Sequence, residues 1–266
     1  MKKIRVVVNG ASGRMGQEVI NALCQEPDLQ IVGAVDIKAT KDHLTLPDGS
    51  GTVPFSKDLD YILTSCQPEV LVDFSNAQAT MPTARLTAKR GVNMVIGTTG
   101  LTADNIKEIE SLAEANKIGV VVAPNFALGA VLMIHLAKLA AKHFDFAEII
   151  ELHHHLKADS PSGTALATAK AMAKAKGKPF STPPGQASES RGGKVEGVAI
   201  HSVRLPGLLA HQEVLLGGAG QTLSIRHDTI GRQCYMPGVI LAIKEVGKHK
   251  GLIYGLESLL GLQGEK

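Results

Sequence analysis

Tryptophan is absent from the 266 residues, aromatic side chains make up 3% of them, and cysteine occurs three times. The thin aromatic content carries no functional meaning, but the cysteine usage excludes a class of proteins. Cys24, Cys66 and Cys234 are far apart, odd in number and without a CxxC pair, so they read as reduced core thiols rather than a disulfide framework. Charge of one sign is also lacking. The 28 basic and 25 acidic side chains leave +3 with no block of like charge, which argues against a dedicated nucleic-acid or polyanion binder. Long hydrophobic runs are missing as well: the stretch after Lys2, Lys3 and Arg5 reaches Asn9-Gly10 after three valines, too short for a signal-peptide core or a membrane span. A cytoplasmic protein with no membrane or nucleic-acid partner is expected, long enough for one large or two modest domains.

Several catalytic signatures are absent too. No GxSxG elbow occurs, so a serine nucleophile is not expected. A tyrosine four residues before a lysine, as in short-chain dehydrogenases, is also missing: Tyr61, Tyr235 and Tyr254 are followed at that offset by Ser65, Val239 and Ser258. The cysteines of a zinc alcohol dehydrogenase are not there.

What is present begins with Ile4-Arg5-Val6-Val7-Val8, a buried parallel strand, followed by the turn NGASGRMGQ and a helical pattern over residues 15–25. Gly10, Gly13 and Gly16 form GxxGxxG rather than GxGxxG. They suit the same work: a tight turn, close backbone approach to a pyrophosphate, and close helix packing. A second strand over residues 31–35 ends at Asp36, twenty residues beyond Gly16, where a carboxylate meets the hydroxyls of an adenosine ribose. Asp36 favours NAD by repelling a 2′-phosphate, whereas Lys38 and Lys41 are near enough in sequence to neutralise one, so NADH and NADPH both remain open. Further strands at 70–72, 92–96 and 119–122 run into Asp73-Phe74-Ser75, Gly97-Thr98-Thr99-Gly100 and Ala123-Pro124-Asn125-Phe126, with helical stretches at 76–90 and 102–116. Strand carboxyl ends are where open α/β sheets bind ligands, which places GTT and APNF toward the nicotinamide.

The pattern changes after Asn125. Residues 129–142 read as a long helix, residues 148–152 as a strand, and the runs 195–204, 211–216 and 221–227 as strands separated by glycine-rich turns, which implies an α+β domain with a mixed or antiparallel sheet. The fold expected is therefore α/β, a Rossmann-type doubly wound parallel sheet over 1–126, plus a second domain over 127–234. The densest chemistry lies in EIIELHHHLKADSPSGT, residues 148–164. Alternation along a strand puts His153 and His155 on one face and His154 on the other, so the three do not share one job. Consecutive histidines rarely converge on one ion, and no cysteine or spaced carboxylate pattern completes a ligand set, so no metal is expected. Beyond Lys157, Asp159 or Ser160 suits a helix cap, Pro161 the first turn, and Ser162, Gly163 and Thr164 the anion-ready start of an Ala-rich helix over 165–176. Gly163 weakens a helix by about 1 kcal/mol relative to Ala, a cost that close approach of an anion would explain.

GASGRMG, VIGTTG, APNF and above all EIIELHHHLKADSPSGTA resemble the 4-hydroxy-tetrahydrodipicolinate reductase family, long called dihydrodipicolinate reductases, over essentially the whole length. The resemblance implies a homotetramer joined through the C-terminal domains, and a final segment, 235–266, that folds back onto the nucleotide domain. It also implies His153 as catalytic acid/base and Lys157 as proton donor, with His154, Gly163 and Thr164 at the substrate. The cofactor positions it implies are Gly10, Ala11, Ser12, Gly13, Arg14, Met15, Asp36, Gly97, Thr98, Thr99, Ala123, Pro124, Asn125 and Phe126. His155 receives no role. Family members commonly carry Arg where Ile37 stands, which bears on NADPH preference. The reaction implied is NAD(P)H-dependent reduction of a cyclic dicarboxylate with loss of water, on the route to diaminopimelate and lysine. The rival readings are a two-domain dehydrogenase of another small acid or sugar, and a dinucleotide-sensing regulatory protein without turnover.

Overall fold

The computed structural model of the chain describes residues 2–184 and 189–262. They form two compact units, one of Met1–Ala127 with Tyr235–Lys266, the other of Leu128–Cys234. In the first, β1 (Ile4–Asn9), α1 (Arg14–Cys24), β2 (Leu29–Val35), β3 (His43–Thr45), β4 (Thr52–Ser56), α2 (Leu59–Cys66), β5 (Val70–Asp73), α3 (Ala77–Lys89), β6 (Asn93–Ile96), α4 (Ala103–Asn116) and β7 (Gly119–Val122) follow in order. Their strands lie as β7-β6-β5-β1-β2-β4-β3, all parallel except β3 against β4. Val6, Val7, Val8, Leu71 and Val72 are fully buried, as expected where helices cover both faces of a parallel sheet and the strands read as continuous apolar runs. β1 has β2 on one side and β5 on the other, so the winding reverses there and opens a crevice at the strand carboxyl ends.

The second unit contains α5 (Leu128–Ala141), β8 (Phe146–His153), α6 (Gly163–Lys176), β9 (Gly193–Val195), β10 (Val198–Arg204), β11 (Ala210–Gly218) and β12 (Gln221–Thr229). Its sheet runs β12-β11-β8-β10-β9 and is mixed, β8 and β10 being parallel and the other pairs antiparallel. The run expected as a single strand over 195–204 is divided. Glu196 (φ 52°) and Gly197 (φ 81°) both adopt the left-handed backbone that a two-residue hairpin turn demands, so β9 and β10 pair as a hairpin. Period-two alternation sends Ile149, Ile200, Val214 and Leu216 into one core with Ala137, Ala165, Ala169 and Met172 of the two helices. On the opposite face Ile150, Leu152, Val203 and Leu215 remain half-exposed.

The chain then returns to the first unit. α7 (Met236–Val246) and β13 (Gly251–Tyr254) follow, with β13 parallel to β7 at the sheet edge. A Cβ on Gly119 would lie 1.9 Å from the Val246 carbonyl oxygen, so glycine is what lets the end of α7 settle against β7.

One charged group is fully enclosed in the second unit. Glu151 of β8 is 0% exposed, and its two oxygens accept Arg204 Nη2 at 2.8 Å and Nη1 at 2.9 Å from β10 and the Ser162 amide at 3.2 Å. Burial by itself would push this carboxyl up; hydrogen bonds from His153, Arg204 and Ser202 overcome that and hold it down, at about 2. The folded state therefore binds fewer protons than the unfolded state below the ordinary glutamate value. The stabilisation, roughly 3 kcal/mol, is fully present above about pH 5 and is lost as pH falls toward 2. Denaturant titrations across this range should show a steeper acid loss of stability in the wild type than in Glu151→Gln; parallel curves would contradict the assignment.

Candidate active site

The turn after β1 is built by close approach. Gly10 has φ +79°, a Cβ there would lie 2.7 Å from the Phe74 carbonyl oxygen, and a Cβ on Gly16 would lie 2.1 Å from the Gly10 carbonyl oxygen. The Gly10 and Ala11 amides hang on the Val35 carbonyl at 2.9 and 3.1 Å, tying the turn to the end of β2. Gly13 is the N-cap of α1 and supplies no side-chain acceptor, so the first amides of the helix, beginning at Arg14 and Met15, face outward without a cap. That is the arrangement a helix start offers to a phosphate. Asp36 accepts the Ser12 amide at 2.9 Å and the Lys38 amide at 2.8 Å, holding the glycine turn and the β2 end together, while Ile37 beside it is 79% exposed.

The other two loops close the same carboxyl edge of the sheet. A Cβ on Gly97 would overlap the Phe74 ring at 2.1 Å, and Phe74 packs tilted on Phe126 with ring centroids 5.7 Å apart. Thr98, Ala123 and Phe126 are buried, whereas Thr99 and Pro124 are exposed and Asn125 is half-buried, its side chain accepting the Ala127 amide at 2.9 Å. Thr99, Pro124 and Asn125 are thus the side chains of these loops that face outward; Ala123 and Phe126 form the packed floor. Beneath them sits Asp73, 1% exposed, which burial pushes upward while it accepts Ser75, Thr80 and Asn9. The free helix start, the glycine close approaches and the carboxylate at the β2 end fit a dinucleotide.

In the second unit the chemistry gathers where β8 ends. His153 Nδ1 lies 2.5 Å from Glu151 Oε2, on the same carboxylate that receives the Ser162 amide. Helix α6 starts at Gly163 with Ser162 as its cap, the Ser162 hydroxyl accepting the Ala165 amide at 3.2 Å; Pro161 precedes the cap. Neither Asp159 nor Ser160 caps the helix, because Glu151 draws the Ser162 amide inward and sets the first turn there. Ser162 is 2% exposed and turned to the interior, Thr164 is half-buried, and Gly163 is open, with no atom within 4 Å of where its Cβ would lie. Protein packing does not demand glycine at 163.

Lys157 is part-buried and pairs with Asp159 at 2.6 Å. Lys157 first, and the Gly163 amide last, help hold the Asp159 carboxyl below its usual range. His154 and His155 are exposed. Among the described residues no group of three or more His, Cys, Asp or Glu is arranged to hold a metal ion. Sequence reasoning missed Glu151 and Arg204. The first was within reach, since a glutamate two residues before His153 on a buried strand shares its face. Arg204 carries no local signal; the register Arg204↔His153 between β10 and β8 brings it in.

Family models for the N-terminus and the C-terminus of dihydrodipicolinate reductase match residues 4–126 and 129–260. A 4-hydroxy-tetrahydrodipicolinate reductase from Dehalococcoides mccartyi is 57% identical over 263 residues, 98% of this chain and 100% of that protein. One from Moorella thermoacetica is 49% identical over 97% of this chain and 98% of its own length. Among solved structures, a dipicolinate-bound dihydrodipicolinate reductase from Paenisporosarcina sp. TG-14 superposes with a TM-score of 0.85 at 40% identity, covering 96% of this chain and 99% of that one. An amine dehydrogenase from Mycobacterium smegmatis, at 18% identity and TM-score 0.66, shares the fold alone. With both halves matched over nearly their full extent, and with relatives up to 57% identical over 98% of the chain, the chain belongs to the dihydrodipicolinate reductase family of oxidoreductases.

Proposed function

We propose that this chain reduces 4-hydroxy-tetrahydrodipicolinate to tetrahydrodipicolinate, with loss of water, using NADH or NADPH, in diaminopimelate and lysine biosynthesis. The observation that carries the reading is the shared carboxylate: Glu151 binds both the His153 imidazole and the backbone that opens α6, so a proton-transfer group and an anion-receiving helix start are built as one piece. A dicarboxylated ring requires both. The cofactor, when bound, supplies hydride to the ring carbon that bore the hydroxyl. Gly10, Ala11, Ser12, Gly13, Arg14 and Met15 would hold its pyrophosphate, Asp36 its ribose, and the loops of Gly97, Thr98, Thr99 and of Ala123, Pro124, Asn125 and Phe126 its nicotinamide end.

His153 supplies the proton that answers the charge developing on the ring, and Lys157, with the helix start at Ser162, Gly163 and Thr164, neutralises a carboxylate; His154 contacts substrate. Lys157 already pairs with Asp159, and its ammonium has two further donors to offer a substrate carboxylate. The first unit thus serves as the dinucleotide-binding domain and the second as the substrate-binding and oligomerisation domain. The half-exposed Ile150, Leu152, Val203 and Leu215, which share their face of the sheet with Glu148, His201 and Glu213, support a homotetramer joined through the second unit. No helix among the described residues is long and apolar enough to cross a membrane. The three free cysteines suit a reducing, cytoplasmic setting.

Loss of reduced-nicotinamide absorbance with enzymatically generated substrate, with NADH and NADPH in parallel, tests the reaction; no oxidation with either overturns it. His153→Ala should lower kcat by about 10²–10⁴-fold with cofactor affinity unchanged, as loss of positioned proton transfer does, and Lys157→Ala, which removes the charge that meets the substrate carboxylate, should raise KM and lower kcat with cofactor affinity unchanged. Ile37→Arg should strengthen NADPH over NADH binding by about tenfold, near 1.4 kcal/mol, through a charge-assisted contact with the 2′-phosphate, read by fluorescence titration. Light scattering should return four times the chain mass, and Leu215→Lys should lower it.

A further inference from the structure

Deepening the proposed role of His153 and resting on it, we propose that Glu151, clamped by Arg204, is the positioning residue of this active site: it fixes the His153 ring as the Nδ1–H tautomer and keeps Nε2 for the substrate. Three observations carry this. Glu151 Oε2 is 2.5 Å from His153 Nδ1, and a carboxylate in this setting only accepts, so Nδ1 bears the proton. Both Glu151 oxygens are held by the two Nη atoms of Arg204 at 2.8 and 2.9 Å, a fork geometry that orients the carboxylate plane as well as its charge. Arg204 Nη2 also donates to the Asp159 carbonyl at 2.8 Å, and the Leu205 amide donates to the His153 carbonyl at 3.1 Å, so β10 grips the start and the end of the loop that carries Lys157. Lys157 and Asp159 lie on that loop and pair with each other.

The doubly protonated ring gives its Nε2 proton to the substrate carbon and remains as the Nδ1–H tautomer, still bound to an anionic Glu151. The next proton returns to Nε2 from solvent. Were the ring free to turn, either nitrogen could face Glu151, and a share of molecules would present the wrong atom to the substrate. Glu151 therefore acts through His153 and touches no substrate itself.

Histidine ¹⁵N chemical shifts of the wild-type protein, with the His153 signal assigned by its loss in His153→Gln, should show the Nδ1–H form when the ring is neutral; an Nε2–H form overturns the proposal without any variant of Glu151. Glu151→Gln should mix the tautomers and lower kcat by about 10²–10⁴-fold with cofactor affinity unchanged. A single Nδ1–H tautomer with wild-type kcat in that variant overturns the proposal. Because the lone substitution orphans the Arg204 charge, Glu151→Gln with Arg204→Met provides a pair without that orphaned charge, its folding checked by circular dichroism; it should keep the low kcat, and recovery of wild-type turnover would also refute the idea. His153→Ala separates the two claims. Wild-type turnover there refutes the proton-transfer reading of the site, whereas a deficit in His153→Ala beside normal Glu151→Gln refutes only the positioning role.

Discussion

A single buried carboxylate organises the second unit. Glu151 lies on the central strand β8, beneath α6, with its oxygens taken by Arg204 from the neighbouring strand, by the Ser162 amide from the helix start and by the His153 ring from its own strand. A buried charge is tolerated only when paired and hydrogen-bonded. Satisfying Glu151 draws on β10, which lies parallel beside β8, and on the backbone just before the first turn of α6. The imidazole and the open helix start stand together because both answer to the same anion.

The first unit depends on a different constraint, the distance of closest approach between backbones. Gly16 lets α1 descend onto the Gly10 carbonyl, Gly97 makes room for the Phe74 ring, and Gly119 admits the end of α7. Each is a place where one methyl group would separate elements that must touch. The outcome is a carboxyl edge at which the glycine turn, the β2 end, the GTT loop and the APNF loop are fixed by packing beneath them. Asp73 and Asn9, paired at the winding reversal between β1 and β5, anchor that edge from below. A carboxylate at Asp36 whose oxygens are engaged by two backbone amides presents its charge in one orientation, and the exposed Ile37 beside it adds none.

The same architecture is shared by proteins of low identity, such as the Mycobacterium smegmatis amine dehydrogenase, so the fold alone does not select a substrate. Selection comes from what stands at the strand ends. There stand an imidazole seated on a carboxylate, a lysine paired with Asp159 and an exposed glycine at a helix start. His154 and His155 are exposed, whereas His153 is part-buried against Glu151, which is why three adjacent histidines need not act alike.

Local sequence determined the elements and many of the candidate residues. Valine runs, the GxxGxxG spacing, Asp36 at its distance from Gly16, and HHHLKADSPSGT are short-range signals, because strand burial, turn backbone and helix starts are decided within a few residues. The β9–β10 hairpin and the cap of α6 were less legible: Glu196-Gly197 lacks an asparagine or aspartate turn signature, and Ser160 and Asp159 are as good caps by type as Ser162. Only the tertiary structure decided which serine caps, which histidine is partnered and what partners it. Arg204 reaches Glu151 across 53 residues through strand pairing, and a charge removed from water needs the counter-charge that this pairing brings.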